Sequence, residues 1–283
     1  MAIPPRLLDG ISRLDPLPAT LQRLMKALHD EDAGAYVIGE IVQFDHAVVS
    51  TLLRVANSAA YGGWVRTESV REAVTRIGKA MVIDLVLGDH IKNLQGAAPM
   101  YDLSEEDLWL HSTAASLAVR AIARECPRAG LSESAAIAGL VHDIGKLVMV
   151  RYLKADVSAL VALRDQRKIT FVQAERELFG CDHAEVGGEM ARHWGFPDDI
   201  AEAITRHHEA PIDSSTPVLD AVVVANLAAK SIGAGLGAEG MDMIVDDRCY
   251  HRLKLDFAGF SRVCLATLSG LKDVSAAYGV KMH

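Results

Sequence analysis

Aromatic residues are scarce in this chain. They make up 5% of its 283 residues, whereas hydrophobic residues of all kinds make up 50%. The apolar content is therefore mainly aliphatic, which favours closely packed helices over a β-sandwich, because strands are enriched in aromatic and β-branched side chains. The sequence predicts an all-α protein that is long enough to bury a substantial core.

Cysteine pairs, clustered basic charge and long apolar runs are also lacking. The four cysteines show no CxxC spacing, which argues against a disulfide scaffold or a zinc ribbon and favours reduced thiols. The net charge of -8, without a block of Lys and Arg, disfavours direct binding to nucleic acid. No apolar stretch reaches the roughly 18 to 20 residues that cross a bilayer, and the opening MAIPPRLLDG lacks the apolar core of a signal peptide. We expect a cytoplasmic protein with no membrane partner.

Helical periodicity continues along most of the chain, with a change of composition near its first third. Residues 96–102 combine Gly, Ala and Pro with the start of the segment YDLSEEDL. We therefore predict two lobes, an amino-terminal helical lobe over residues 1–98 and a second helical lobe over residues 99–283. Within the second lobe, Ser104 with Asp107 and Asp182 with Glu185 have the spacing of capping boxes and predict helix starts.

Two segments of the second lobe carry further expectations. The run SESAAIAGLVHDIGKLVMVRY, residues 132–152, is apolar on nearly every side and predicts one buried central helix. The glycine-rich segment SIGAGLGAEG, residues 231–240, predicts an excursion on the surface.

A polar pair interrupts the apolar run of residues 132–152. His142 and Asp143 are adjacent there, and Lys146 follows about one helical turn later. Burying a carboxylate without a partner costs several kcal/mol, so hydrogen bonds, an ion pair or a metal must compensate for it.

Other histidines could supply that compensation. Taken singly, each histidine is more simply explained as a helix-capping or hydrogen-bonded side chain, and one of two adjacent histidines could face solvent. Taken together with the His-Asp pair they fall on four predicted helices, and ligands from several helices of a bundle can converge on one core site. The candidates are His111, His183, His207 and His208. Imidazole and carboxylate groups suit Mn, Fe, Zn or Ni, and Mg is a further candidate, although the sequence leaves open whether a metal is bound.

Several segments resemble one protein family. GLVHDIGKLV, FGCDHAEVGGEMARHWGFP and AITRHHEAP resemble the core of the HD superfamily. FDHAVVSTLLRVANSAAYG followed by EAVTRIGKAMVIDLVL is similar to the amino-terminal half of HDOD domains, which are signalling relatives of the HD phosphohydrolases. The likeness runs from about residue 14 to residue 231, with its motifs in a fixed order.

The resemblance implies a metal site with an adjacent phosphate contact. In HD phosphohydrolases the corresponding ligand positions would be His111, His142, Asp143, His183, His207 and His208, and Lys146 matches a lysine that meets a phosphate. Where the superfamily usually has an aspartate ligand, this chain has Asn226, a weaker and uncharged donor. No GYP signature follows the HHE segment, so the likeness to HD-GYP cyclic-dinucleotide phosphodiesterases is incomplete.

Two functions remain open. The resemblance favours a signal-transduction output or regulatory module whose partner is another signalling protein, such as a receiver or sensor domain, and whose metal site lacks robust catalysis. The chain itself shows no Asp-rich receiver pattern with alternating strands. The alternative is a metal-dependent phosphohydrolase or cyclic-nucleotide phosphodiesterase, with Asp143 and Lys146 as catalytic residues and a phosphorylated or nucleotide ligand.

Overall fold

The described part of the chain is helical, with turns and loops between the helices. The computed structural model describes residues 3–14, 16–28, 30, 32–59, 61, 65–94, 98–132, 135–153, 157–209, 213–240, 242 and 245–282. Helices α1 to α16 span Pro5–Ser12, Ala19–Leu28, Ala35–Val42, His46–Ala56, Val70–Ile77, Lys79–Leu94, Glu105–Glu125, Ala135–Val141, Gly145–Tyr152, Val157–Arg167, Phe171–Phe179, His183–His193, Asp198–Arg206, Pro217–Ser231, Asp247–Leu253 and Phe257–Tyr278. No β-strand occurs among these described residues, and the prediction of an all-α protein is confirmed.

The chain divides into two compact units. One unit comprises Met1–Asp15 and Gln95–Thr267, and the other comprises Pro16–Leu94 and Leu268–His283. The sequence predicted a division into residues 1–98 and 99–283, and this stays a prediction. In the compact units, the first 15 residues belong to the longer unit and the last 16 to the shorter one. Within the described ranges, no helix is both long and apolar enough to cross a membrane.

The shorter unit is built from α2 to α6 and the carboxyl-terminal half of α16. Asp45 caps α4 by accepting hydrogen bonds from the N–H groups of Ala47 and Val48. At the other end of α4, the Asn57 side chain donates to the Thr67 carbonyl and accepts from the Thr67 N–H, each at 2.8 Å. These paired bonds join the end of α4 to the residue Thr67, shortly before α5, which packs against α3 and α4.

The longer unit is centred on α7, which is buried over most of its length and packs against α8 and α14. Its start was predicted correctly: the Ser104 side chain accepts from the Asp107 N–H, and the Asp107 side chain accepts from the Ser104 N–H. The same reciprocal arrangement of Asp182 and Glu185 begins α12. Helix α12 then packs between α9 and α13.

The single helix predicted over residues 132–152 is wrong. The structure has two helices, α8 ending at Val141 and α9 beginning at Gly145, with a turn of three residues between them. The His142 imidazole contributes to this break, because its Nδ1 hydrogen-bonds the Gly139 carbonyl at 2.8 Å. An apolar run that is buried on every side carries no periodicity from which such a break could be predicted.

The surface excursion predicted for residues 231–240 is also wrong. Ala234, Glu239 and Gly240 are buried. Gly235 has a φ of 54°, and a Cβ atom there would collide with the main chain of Asp107. The glycines of this segment therefore permit a left-handed backbone and close approach to α7 rather than marking a solvated loop.

Gly145 provides a test of how tightly α9 and α12 pack. A Cβ atom at this position would meet the backbone of His183 and Gly187, neither of which can move independently of α12. We expect Gly145→Ala to lower the free energy of unfolding by about 1–3 kcal/mol or more, the usual cost of overpacking. Chemical denaturation measures the change.

Gly39→Ala is the matched control. Gly39 lies inside α3, where an added Cβ would make an ordinary 3.8 Å contact with Val70. Because alanine is the better helix former, this variant should gain about 0.5–1 kcal/mol. Equal stability changes in the two variants would contradict the packing described for Gly145.

Candidate metal centre

The predicted histidine and aspartate ligands come from four places in the longer unit. His111 lies in the first half of α7, His142 and Asp143 occupy the turn between α8 and α9, and His183 is the first residue of α12. His207 caps the carboxyl end of α13, and His208 follows it. The turn that splits the predicted central helix thus presents the His-Asp pair to the neighbouring helices.

The Asp143 carboxylate is the centre of the cluster. Its Oδ2 lies 3.6 Å from His111 Nε2 and 3.5 Å from His142 Nε2. Its Oδ1 lies 3.2 Å from His183 Nε2 and 3.7 Å from His207 Nε2. His208 completes the set, because its Nε2 lies 3.1 Å from His183 Nε2. The structure thus brings the histidines predicted from four helices to one carboxylate.

Backbone carbonyl groups fix the orientation of three imidazoles by bonding their Nδ1 atoms. The Nδ1 atoms of His111, His142 and His207 lie 3.0, 2.8 and 2.7 Å from the carbonyl oxygens of Ala234, Gly139 and Ile204. A carbonyl can only accept a hydrogen bond, so each Nδ1 carries the proton and each Nε2 presents a lone pair toward Asp143. This is the arrangement in which protein histidines bind metals.

His183 is held by a buried acid that the sequence reasoning missed. Glu175, on α11, lies with its Oε2 2.8 Å from His183 Nδ1 and accepts from the His183 N–H at 3.2 Å. The other oxygen of Glu175 accepts from the Tyr101 hydroxyl at 2.5 Å. Although burial alone would lower the pKa of His183, the Glu175 carboxylate raises it to about 9.

Burial has the opposite net effect on the other imidazoles. It lowers the pKa of His111 to about 4 and lowers the pKa values of His142, His207 and His208 as well. These four side chains are therefore neutral near pH 7, which is the form that donates to a metal.

The donor set fits a divalent metal. His142 Nε2, His207 Nε2 and Asp143 Oδ1 are buried and have no hydrogen-bond partner in the described part of the chain. Leaving a buried polar atom unpaired costs about 1–3 kcal/mol, which a coordinated cation would remove. The potential ligand atoms form two groups that share Asp143, one with His111 and His142 and the other with His183, His207 and His208.

Lys146 lies beside this cluster, and its ammonium group is enclosed by two acids. The Nζ atom donates to Asp143 Oδ2 at 2.7 Å and to the Glu239 carboxylate. Glu239 is the second functional acid that sequence reasoning missed, because it belongs to the segment expected on the surface. The lysine is 2% exposed, so its charge is offset locally rather than by solvent.

Asn226 lies on α14 and lines a pocket beside His207 and His208, together with Lys230 and Asp242. Its Oδ1 is buried and has no hydrogen-bond partner among the described residues. The assignment of Asn226 as a metal ligand stays a prediction.

Comparison with known proteins identifies one family. The family model of the HDOD domain matches residues 14–210. A curated relative from Treponema pallidum (strain Nichols), called an uncharacterized protein, is 24% identical over 77% of this chain; the alignment covers 42% of that relative, so the chain spans less than half its length.

Solved structures show the same fold. An HDOD domain protein of unknown function from Geobacter sulfurreducens has a TM-score of 0.75, with 24% identity and 98% of each chain covered. A protein from Shewanella amazonensis SB2B, provisionally named a phosphohydrolase, has a TM-score of 0.72, with 21% identity and coverage of 96% of this chain and 98% of its own. A protein from Marinobacter aquaeolei VT8, provisionally named a signal transduction protein, has a TM-score of 0.69, with 22% identity and coverage of 97% and 64%.

Two histidines of α12 test the metal centre. His183 begins the helix inside the cluster, whereas His193 ends it in solvent. We expect the purified protein to contain a divalent metal by elemental analysis, and His183→Ala to lose most of it. His193→Ala should retain the wild-type content. Equal metal content in both variants would show that the metal binds elsewhere.

Glu175 tests the orientation of His183. Replacing its carboxylate in Glu175→Gln weakens the partner of His183 Nδ1, and loss of such supporting groups typically lowers metal affinity about 10- to 100-fold. Competition with a chromogenic chelator measures the affinity. Glu177→Gln, at an exposed position of the same helix, is the control and should leave the affinity unchanged. A Glu175→Gln affinity equal to that of the control would contradict the role assigned to Glu175.

Proposed function

Because the chain belongs to the HDOD domain family, we propose that it is a signal-transduction module whose histidine-aspartate cluster binds a divalent metal for structural or regulatory purposes. The cluster supplies imidazole and carboxylate ligands, which suit Mn, Fe, Zn or Ni better than Mg. The free cysteines, Cys126, Cys181, Cys249 and Cys264, are consistent with a reducing cytoplasm as its location.

The enclosure of Lys146 supports a regulatory role over robust catalysis. A lysine that stabilises charge on a phosphoryl group must present its ammonium to the ligand. Here the Lys146 ammonium already contacts the carboxylates of Asp143 and Glu239. In addition, Asn226 supplies no negative charge to hold a second cation firmly. Both features weaken the machinery of hydrolysis while leaving a site that can bind.

The proposed partner is another signalling protein, such as a receiver or sensor domain. The net charge of -8 suits a partner with a basic face, since complementary charge increases the rate of encounter.

A metal-dependent phosphohydrolase or cyclic-nucleotide phosphodiesterase is the second candidate. The two ligand groups that share Asp143 favour it, because they offer more donors than a single structural ion requires. When bound, a divalent metal lowers the pKa of water to about 7 and polarises a phosphoryl oxygen. On this hypothesis Asp143 would hold the metal together with the histidine Nε2 atoms, and Lys146 would have to exchange Glu239 for the phosphate.

Turnover measurements separate the two functions. We expect the wild-type protein, supplied with Mn²⁺, to hydrolyse p-nitrophenyl phosphate, bis-p-nitrophenyl phosphate and cyclic dinucleotides no faster than Asp143→Ala does. Hydrolysis that is present in the wild type and disappears in Asp143→Ala would overturn the regulatory proposal and establish the phosphohydrolase. Circular dichroism of both proteins checks that the variant is folded.

A further inference from the structure

A pocket opens next to the candidate metal centre, on the side of His207 and His208. Asn226, Lys230 and Asp242 line it together with these histidines, and it encloses about 270 Å³ including space open to solvent. The pocket is partly open to solvent. The pocket therefore offers a ligand a route to the exposed side of the cluster.

Lys230 is the cation of this pocket. Its side chain is 5% exposed, and its Nζ donates one hydrogen bond, to the Asp242 carbonyl oxygen at 3.3 Å. An ammonium group has three N–H donors, and a buried charge without a counter-charge is costly. No carboxylate forms an ion pair with Lys230 among the residues that the structure describes. The Asp242 carboxylate is engaged through Oδ2, which accepts from the Phe171 N–H at 2.7 Å.

Asn226 leaves the positive charge of Lys230 unneutralised. It precedes Lys230 by four residues on α14, so the two side chains share one face of the helix. An aspartate at this position would form an ion pair with Lys230, whereas the amide cannot neutralise it. The Asn226 Oδ1 is buried and has no partner within the described ranges, so this acceptor can receive a hydrogen bond from a hydroxyl group of a ligand.

The other buried lysine of this region is already matched. Lys146 contacts Asp143 and Glu239, whereas Lys230 has neither acid as a hydrogen-bonded partner. In the described part of the chain Lys230 thus uses one of its three N–H donors, although the carboxylates of Asp143 and Asp242 favour its charged form.

We propose that Lys230 and Asn226 form an anion-binding subsite that holds the phosphoryl group of a small phosphorylated ligand beside His208. Lys230 donates charge-assisted hydrogen bonds to the phosphoryl oxygens. The Asn226 Oδ1 accepts a hydrogen bond from a hydroxyl of the ligand, such as the protonated oxygen of a phosphate. The inference deepens the proposed function, on which it rests, by giving the signalling module a ligand class.

Inorganic phosphate is the probe, and isothermal titration calorimetry of the full chain at pH 7 is the measurement. We expect wild-type protein to bind phosphate saturably and Lys230→Met, which keeps the length and burial of the side chain, to bind about tenfold or more weakly, as expected from loss of a charge-assisted hydrogen bond. Asn226→Asp should also weaken binding, because its carboxylate would pair with Lys230.

Lys272→Met is the matched control. It removes one positive charge from an exposed position that does not line the pocket, so its phosphate affinity should equal that of the wild type. Unchanged affinity in Lys230→Met, or the absence of saturable binding by wild-type protein, would overturn the subsite.

Metal content, measured on the same samples, keeps this inference separate from the proposed function. Loss of phosphate binding in Lys230→Met with metal content retained supports the subsite. Loss of both together would overturn it, because the defect would then lie in the metal centre. Hydrolysis that depends on Asp143 would refute the regulatory proposal alone and leave the phosphate result standing.

Discussion

The structure of the longer unit depends on one buried negative charge. The Asp143 side chain is 3% exposed, and a carboxylate removed from water to this extent is unstable unless other groups compensate for it. The nearby histidines alone cannot do so in the neutral form that burial imposes on most of them. Lys146 and a bound cation can compensate for the charge. This requirement explains why polar groups from α7, the turn before α9, α9 itself, α12 and the end of α13 converge inside an aliphatic core.

The backbone around Asp143 is arranged to permit that convergence. His142 and Asp143 lie in the turn between α8 and α9 and not inside a helix. Because Gly145 has no side chain, α9 lies directly against the start of α12, where His183 is the first residue. Two further acids support the cluster: Glu175 orients His183, and Glu239 offsets the charge of Lys146. Packing and electrostatics thus specify the same geometry, so a change in either one affects the site.

Much of this arrangement could be predicted from the sequence, because the unusual residues stand out against an apolar background. The His-Asp pair in a run of aliphatic residues signals a buried polar site, and the boxes that begin α7 and α12 mark helix starts by local hydrogen bonding. The supporting acids could not be predicted in the same way. Glu175 lies on an amphipathic helix where an acid normally faces solvent, and Glu239 lies in a glycine-rich segment whose glycines serve close packing.

Anomalous diffraction from a crystal of the protein, recorded on both sides of the absorption edge of the metal found by elemental analysis, tests the central claim most directly. The account predicts a peak in the anomalous difference map bounded by the Nε2 atoms of the clustered histidines and the Asp143 carboxylate. A peak on the surface, or a well-ordered cluster with no peak after the crystal is soaked in Mn²⁺ or Zn²⁺, would contradict it.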